Sequence, residues 1–189
     1  MLDAETCRRE FELWIVSQSG CVLEDMTTDQ LSTTLLISST VATGLSAGLL
    51  YGFACAVMPG LKDVDDRAFI AVMQSVNRRI LNGWFLATFV GAPVLTIGAA
   101  VTAFISDSAD QRVATGGAAL LSLLSIGITA VVNVPLNSML DVTSDTASVA
   151  DASTVRRRFE RRWTRGNVAR SAASAAAFGG LVWAPANGG

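Results

Sequence analysis

The chain has 189 residues, 51% of them hydrophobic and only 16% charged, with a net charge of −2 and a mean hydropathy of +0.45. Soluble domains carry about 25% charged residues, so this composition argues against a water-soluble globule and excludes disorder, and the near-neutral balance gives no case for nucleic acid as a partner. There is no histidine, which removes Ser-His-Asp and Cys-His nucleophiles and His-ligated zinc, iron and haem, and the three scattered cysteines cannot form a four-thiolate site. No metal and no cofactor is expected, and Cys55, inside an apolar run, reads as a small buried hydrophobe.

Residues 1–30 form a hydrophilic extension. Cys7, Phe11, Trp14 and Gln18 follow helical spacing, which suits a short amphipathic helix on a membrane surface as well as a tail without structure. Cys7 and Cys21 are free to pair if the segment lies outside the cytoplasm. A signal peptide is not indicated, because the first apolar run starts only after this charged stretch.

Residues 31–189 form the membrane domain. No charged residue occurs over 31–61, 82–106, 113–140 or 171–189. A bilayer core about 30 Å thick needs about 20 helical residues, so these runs predict spans at about 34–58, 84–105, 113–132 (continuing towards Leu140) and 168–183. The last is short and alanine-rich and relies on packing against the others. The predicted fold is all-α, a four-helix transmembrane bundle in a multi-pass integral membrane protein. Lys62, Arg67, Arg78 and Arg79 after the first span, and the arginines from Arg156 to Arg165 before the last, place both long loops in the cytoplasm and both termini opposite. The polar stretches Ser106 to Arg112 and Asp141 to Asp151 read as a connector and a solvated loop.

Within the spans, Gly44, Gly48 and Gly52 recur every four residues and predict close helix approach, as do Gly91, Gly98, Gly116, Gly117 and Gly127. Pro93 and Pro135 predict kinks, or carbonyls left for other groups to satisfy. Polar residues gather at the span ends: Gln74, Asn77, Arg78 and Asn82 in MQSVNRRILNGWF, Asn133 and Asn137 around Pro135, and Trp163, Asn167 and Arg170 in RRWTRGNVAR. In the topology above all three stripes meet one bilayer surface. Each residue read alone serves as a cap or an interfacial anchor; together, with Arg170 at membrane depth, they point to a polar pocket inside the bundle.

The strings VMPGL (Val57 to Leu61), MQSVNRRILNGWF (Met73 to Phe85), GAP (Gly91 to Pro93), NVPLN (Asn133 to Asn137) and RFERRWTRGNVAR (Arg158 to Arg170) resemble the anthrone oxygenase-like family of small integral membrane proteins over about Thr40 to Leu181. The resemblance implies a four-helix bundle with recurrent polar positions at Asn77, Asn82, Asn133, Asn137, Trp163, Asn167 and Arg170. The chain departs from that pattern in its N-terminal extension, in Arg165-Gly166 before the asparagine, and in its weak last helix.

The activity this resemblance implies is cofactor-independent oxygenation of a hydrophobic phenolic or anthrone-like compound, with dioxygen as the second substrate. An anthrone supplies its own reducing power once its weakly acidic benzylic C–H is lost, so the protein need only bind a flat ring and stabilise an oxyanion. Arg170, Asn167, Asn133 and Asn77 suit that role, with Trp163, Trp84, Asn137, Asn82 and Arg78 contacting substrate. Candidate bases are Asp63, Asp65, Asp66, Asp141, Glu160 and Tyr51, although the arginines around Glu160 favour an ion-pair role for it. The alternative is a non-catalytic protein that binds a lipid or partner through its basic loops. Membrane lipids are expected partners in either case, and a homo-oligomer is compatible with both.

Overall fold

The computed structural model describes residues 29–105, 109–143 and 149–184, and among them all regular structure is helical. Five helices follow in order: α1 (Asp29–Asp63), α2 (Asp66–Ile80), α3 (Gly83–Ile105), α4 (Ala109–Asp141) and α5 (Val149–Trp183). Helices α1, α3 and α4 are long and apolar enough to cross a membrane. With the second half of α5 they pack as a four-helix bundle, and α2 is an added amphipathic helix packed against α5 and the end of α4. The expected surface helix and cysteine pair of the N-terminal extension lie outside the described residues. So do residues 144–148 of the stretch read as a loop before the basic helix, and the last three residues of that stretch already belong to α5.

The bundle is polar inside and apolar outside, as a lipid solvent requires. Along α1, Ile37, Val41, Leu45 and Leu49 are exposed at four-residue steps while Ser39, Thr43 and Ser46 are buried. The same inversion holds in α3, with Thr96 inside and Val90, Val94 and Val101 outside, and in α4, with Thr115, Ser122 and Ser125 inside and Leu120 and Leu124 outside. Helix carbonyls accept the proton of some of these hydroxyls, Thr96 Oγ1 donating to the Ala92 carbonyl at 2.7 Å and Thr115 Oγ1 to that of Gln111 at 2.7 Å, whereas Thr43 Oγ1 and Ser122 Oγ are buried without a partner. The apolar half of α5, too short and alanine-rich to stand as a span by composition, buries Ala173, Ala177 and Leu181 while Phe178 and Val182 stay exposed. Small side chains let its neighbours close around it, which is why its sequence signal is weak.

Two helices share a device near the same end. In α1 a widened turn over Phe53–Val57 precedes Pro59, and in α4 one over Thr129–Asn133 precedes Pro135. Proline lacks an N–H and crowds the carbonyl four residues back, and a wider turn relieves both. At these turns the Met58 amide donates to the Phe53 carbonyl and the Val134 amide to the Thr129 carbonyl. At Pro93 there is no widened turn, and α3 runs as α-helix on both sides of it. The glycine expectation also needs correction. A Cβ at Gly44 would lie 2.9 Å from the Phe178 ring, but Gly48, Gly52, Gly91, Gly117 and Gly127 have nothing within 4 Å. The tightest approach is at Gly166, where a Cβ would meet Asn133 Oδ1 and Val132 Cγ1, both at 2.9 Å. Cys55, expected inside, is exposed.

An aromatic cluster closes this end of the bundle. Phe69 of α2 packs edge-on to Phe159 of α5 at 6.0 Å, and Phe159 stacks on Trp163 at 6.0 Å. Arg156 fastens the cluster to α1: its guanidinium donates to the carbonyls of Leu61 (2.9 Å) and Val64 (2.7 Å), pairs with Asp66 (3.1 Å) and Glu160 (2.9 Å), and lies 4.5 Å from the Phe69 ring centroid. Burial alone would lower its pKa, but hydrogen bonding and charge from Glu160 and then Asp66 outweigh that and raise it above the ordinary guanidinium value. It is therefore a permanent cationic strut.

Candidate functional site

A cavity of about 300 Å³ lies where α1, α3, α4 and α5 meet α2, next to both widened turns. Its wall is mostly apolar. Phe85 and Phe89 of α3 stack on each other at 5.1 Å along one part, and Phe53 of α1 and Trp163 of α5, 5.8 Å apart, form another. The polar groups in the lining are few: Asn77, Thr129, Asn137 and Arg170. An apolar chamber with a small number of convergent donors is the usual form of a small-molecule site.

Arg170 dominates the electrostatics. It is 8% exposed, and among the described residues no carboxylate lies within ion-pair distance of it. Its Nε and Nη2 donate to Asn167 Oδ1 at 3.2 and 3.0 Å, its Nη1 donates to Thr129 Oγ1 at 3.2 Å, and its guanidinium sits 5.4 Å from the Trp163 ring centroid. These neighbours orient the cation without neutralising it, and N–H donors remain on both terminal nitrogens. Across the cavity lining, the buried Nδ2 of Asn77 has no hydrogen-bond partner. An unpaired donor and an uncompensated cation on one apolar chamber fit a ligand that brings an acceptor oxygen, and an anionic one best.

The other predicted residues fall into two groups. Asn133, Asn137, Asn167 and Trp163 are at the site but hold helices together. Asn167 Nδ2 donates to the Leu50 carbonyl at 3.0 Å and Asn133 Nδ2 to the Trp163 carbonyl at 3.2 Å, while Trp163 Nε1 donates to Asn137 Oδ1 at 2.8 Å. Asn167 thus positions Arg170 rather than lining the chamber. Asn82, Arg78 and Trp84 are outside it. Asn82 builds the α2–α3 turn, its Nδ2 donating to the Arg79 carbonyl at 2.9 Å and its Oδ1 accepting from the Phe85 amide at 3.0 Å. Arg78, one residue from buried Asn77, is turned outward, and Trp84 is 88% exposed. Among the candidate bases, Asp65 caps α2, Asp66 and Glu160 pair with Arg156, and Tyr51 is exposed. None of the six belongs to the cavity lining.

Sequence reasoning missed Thr129 and the wall of Phe53, Phe85 and Phe89. Thr129 was recoverable, since it precedes Asn133 and Asn137 at four-residue steps on one helix face. The phenylalanines carry no such signal.

A family model described as anthrone oxygenase matches residues 84–180, just over half of the chain. The chain belongs to the anthrone oxygenase family. The matched stretch covers α3, α4 and most of α5, and so contains Arg170, Asn167, Asn133, Asn137, Thr129 and Trp163. Helices α1 and α2, which supply Phe53 and Asn77, precede it. No curated protein and no solved structure matches the chain. As a member of this family with three apolar helices of spanning length, it is a membrane protein.

Proposed function

We propose that the protein is a multi-pass membrane oxygenase that acts, without a cofactor, on a hydrophobic phenolic or anthrone-like compound. The observation that carries this reading is Arg170: a buried cation without a counter-ion at the polar end of an aromatic-walled cavity, in a chain of the anthrone oxygenase family. The enolate of such a compound supplies the missing negative charge. Arg170 and Asn77 donate to its oxygen and stabilise the charge that develops when the benzylic proton leaves.

Among the described residues no carboxylate, thiol or phenol lines the cavity. In this reading the substrate therefore loses its proton to hydroxide or bulk buffer, and Arg170 selects the anion by lowering the acidity barrier. The bound carbanion passes one electron to dioxygen, and the radical pair combines to a hydroperoxide at the benzylic carbon. Loss of water then leaves a carbonyl there, so one oxygen atom enters the product and the other departs as water. Because the substrate supplies the electrons, no external reductant is needed.

The test is oxygen uptake by the detergent-solubilised protein with emodin anthrone, corrected for autoxidation. The reading predicts a protein-dependent rate that rises with pH as the substrate ionises. Protein with an intact helical spectrum and no uptake above the autoxidation control overturns it for this substrate class.

A further inference from the structure

A second recess lies away from the cavity just described. Lys62 at the end of α1 and Arg157, Arg161 and Arg165 of α5 line an open groove of about 560 Å³, with Glu160 and Thr164 completing it. The three arginines are four residues apart, so they form one stripe along the helix. Glu160 is already held by Arg156 at 2.9 Å, and Arg157 donates to Ser153 Oγ and Thr154 Oγ1 at 3.0 Å each. Among the described residues no carboxylate is within ion-pair distance of Lys62, Arg161 or Arg165, and all three are exposed. Like charges held side by side without counter-ions attract an anion that can reach several of them.

The surface beyond the groove says which anion. One turn past Arg165, α5 exposes Val168 and Ala169 and carries no charge from Ser171 onwards; beside it α1 exposes Tyr51, Cys55 and Ala56. The cationic groove thus sits where both helices pass from charged to uncharged surface, the level of the headgroups. A free phosphate has no use for the apolar continuation, and a polyanion extending along the basic stripe has none either. An amphiphile with an anionic head and acyl chains uses both parts.

We propose that this groove binds the headgroup of an anionic phospholipid from the surrounding leaflet, with the phosphate on Lys62, Arg161 and Arg165 and the chains against α1 and α5. The proposal is independent of the oxygenase reading.

The experiment is native mass spectrometry of the full chain in detergent, titrated with phosphatidylglycerol and, separately, with phosphatidylcholine. The wild type is expected to prefer phosphatidylglycerol by at least about tenfold, and R161Q/R165Q to reduce that preference to within about twofold. R158Q/R162Q removes the same charge from exposed positions outside the groove and is expected to keep most of the preference. Equal binding of the two lipids by the wild type overturns the proposal, and that comparison needs no variant. Equal loss in both double variants overturns it in favour of diffuse attraction, and displacement of the lipid by equimolar inorganic phosphate overturns it in favour of a small-anion site.

Discussion

Arg170→Met separates a residue kept for chemistry from one kept for stability. The substitution preserves length and removes the charge, the two contacts to Asn167 Oδ1, the one to Thr129 Oγ1 and the contact with the Trp163 ring. Asn167 Oδ1 is left without a donor, which costs about 1–3 kcal/mol for a buried acceptor. Against this, a guanidinium without a counter-ion leaves the bundle interior, a relief of comparable or larger size. The folded state should therefore stay within about 2 kcal/mol of wild type. The reaction has no such compensation: loss of one oxyanion donor lowers kcat by about 10²–10³, or about 2.7–4 kcal/mol. Oxygen uptake with emodin anthrone and thermal unfolding in detergent, measured on the same preparations, give both numbers. Arg170→Lys should fall between, because an ammonium keeps the charge but not the two-pronged contact with Asn167. A folded Arg170→Met protein with unchanged kcat/KM refutes the role in the reaction. A variant that loses more than about 4 kcal/mol of stability shows instead that Arg170 is a structural strut.

Gly166→Ala should destabilise by about 1–3 kcal/mol, because its Cβ would lie 2.9 Å from Asn133 Oδ1 and Val132 Cγ1, whereas Gly48→Ala should be neutral or stabilising; detergent unfolding curves compare them directly. Arg156→Ala should cost about 2–4 kcal/mol in the same assay, less than a fully buried ion pair because Asp66 and Glu160 are partly exposed. Trp84→Ala should leave oxygen uptake within about twofold of wild type, since an exposed indole at a membrane boundary anchors rather than binds substrate. Asn77→Ala should leave stability unchanged while weakening substrate binding, and Asn167→Ala should lower stability by about 1–3 kcal/mol, since it leaves the Leu50 carbonyl and the Arg170 guanidinium without their partner.

The membrane fold was legible because a charge-free run of spanning length has one main physical explanation. Gly83–Ile105 differs by one residue at its start from the second predicted span, 84–105. The third run, read as continuing towards Leu140, is helical to Asp141, whereas α1 continues as helix to Asp63, beyond its predicted span, because a helix need not stop at the edge of the hydrocarbon. Helix α2 was visible only as a polar stripe, since Phe69, Ile70 and Met73 become a buried face only once Phe159 and Leu140 are there to receive them. The site was partly legible for a related reason. Arg170 and Asn167 stand out as polar residues next to an uncharged run, but the same criterion promoted Asn82 and Trp84, and only the direction of a side chain tells a turn cap or an interfacial anchor from a cavity wall. Gly166 stands out in the sequence only as a departure from the family pattern, because nothing in its surroundings marks Asn133 as its neighbour.

Direction also explains why two asparagines in equivalent settings do different things. Helix α2 carries Phe69, Met73 and Asn77 and helix α5 carries Phe159, Trp163 and Asn167, each set at four-residue steps, and the two phenylalanines meet at 6.0 Å. Each ladder runs from a buried ring through a large buried side chain to a buried asparagine. Beyond Asn167 the helix continues into the bundle, so that residue meets the α1 backbone at the Leu50 carbonyl and, one turn on, Arg170 of its own helix; both ends of its amide are used. Beyond Asn77 the helix stops at Ile80 and the chain turns at Asn82 into α3, which brings Phe85 and Phe89 rather than a second polar backbone. Its Nδ2 is left buried at the cavity wall without a partner. The cavity therefore exists because one ladder ends where the other goes on: the continuing helix supplies a cation with its orienting amide, and the interrupted one supplies an open wall and an unused donor.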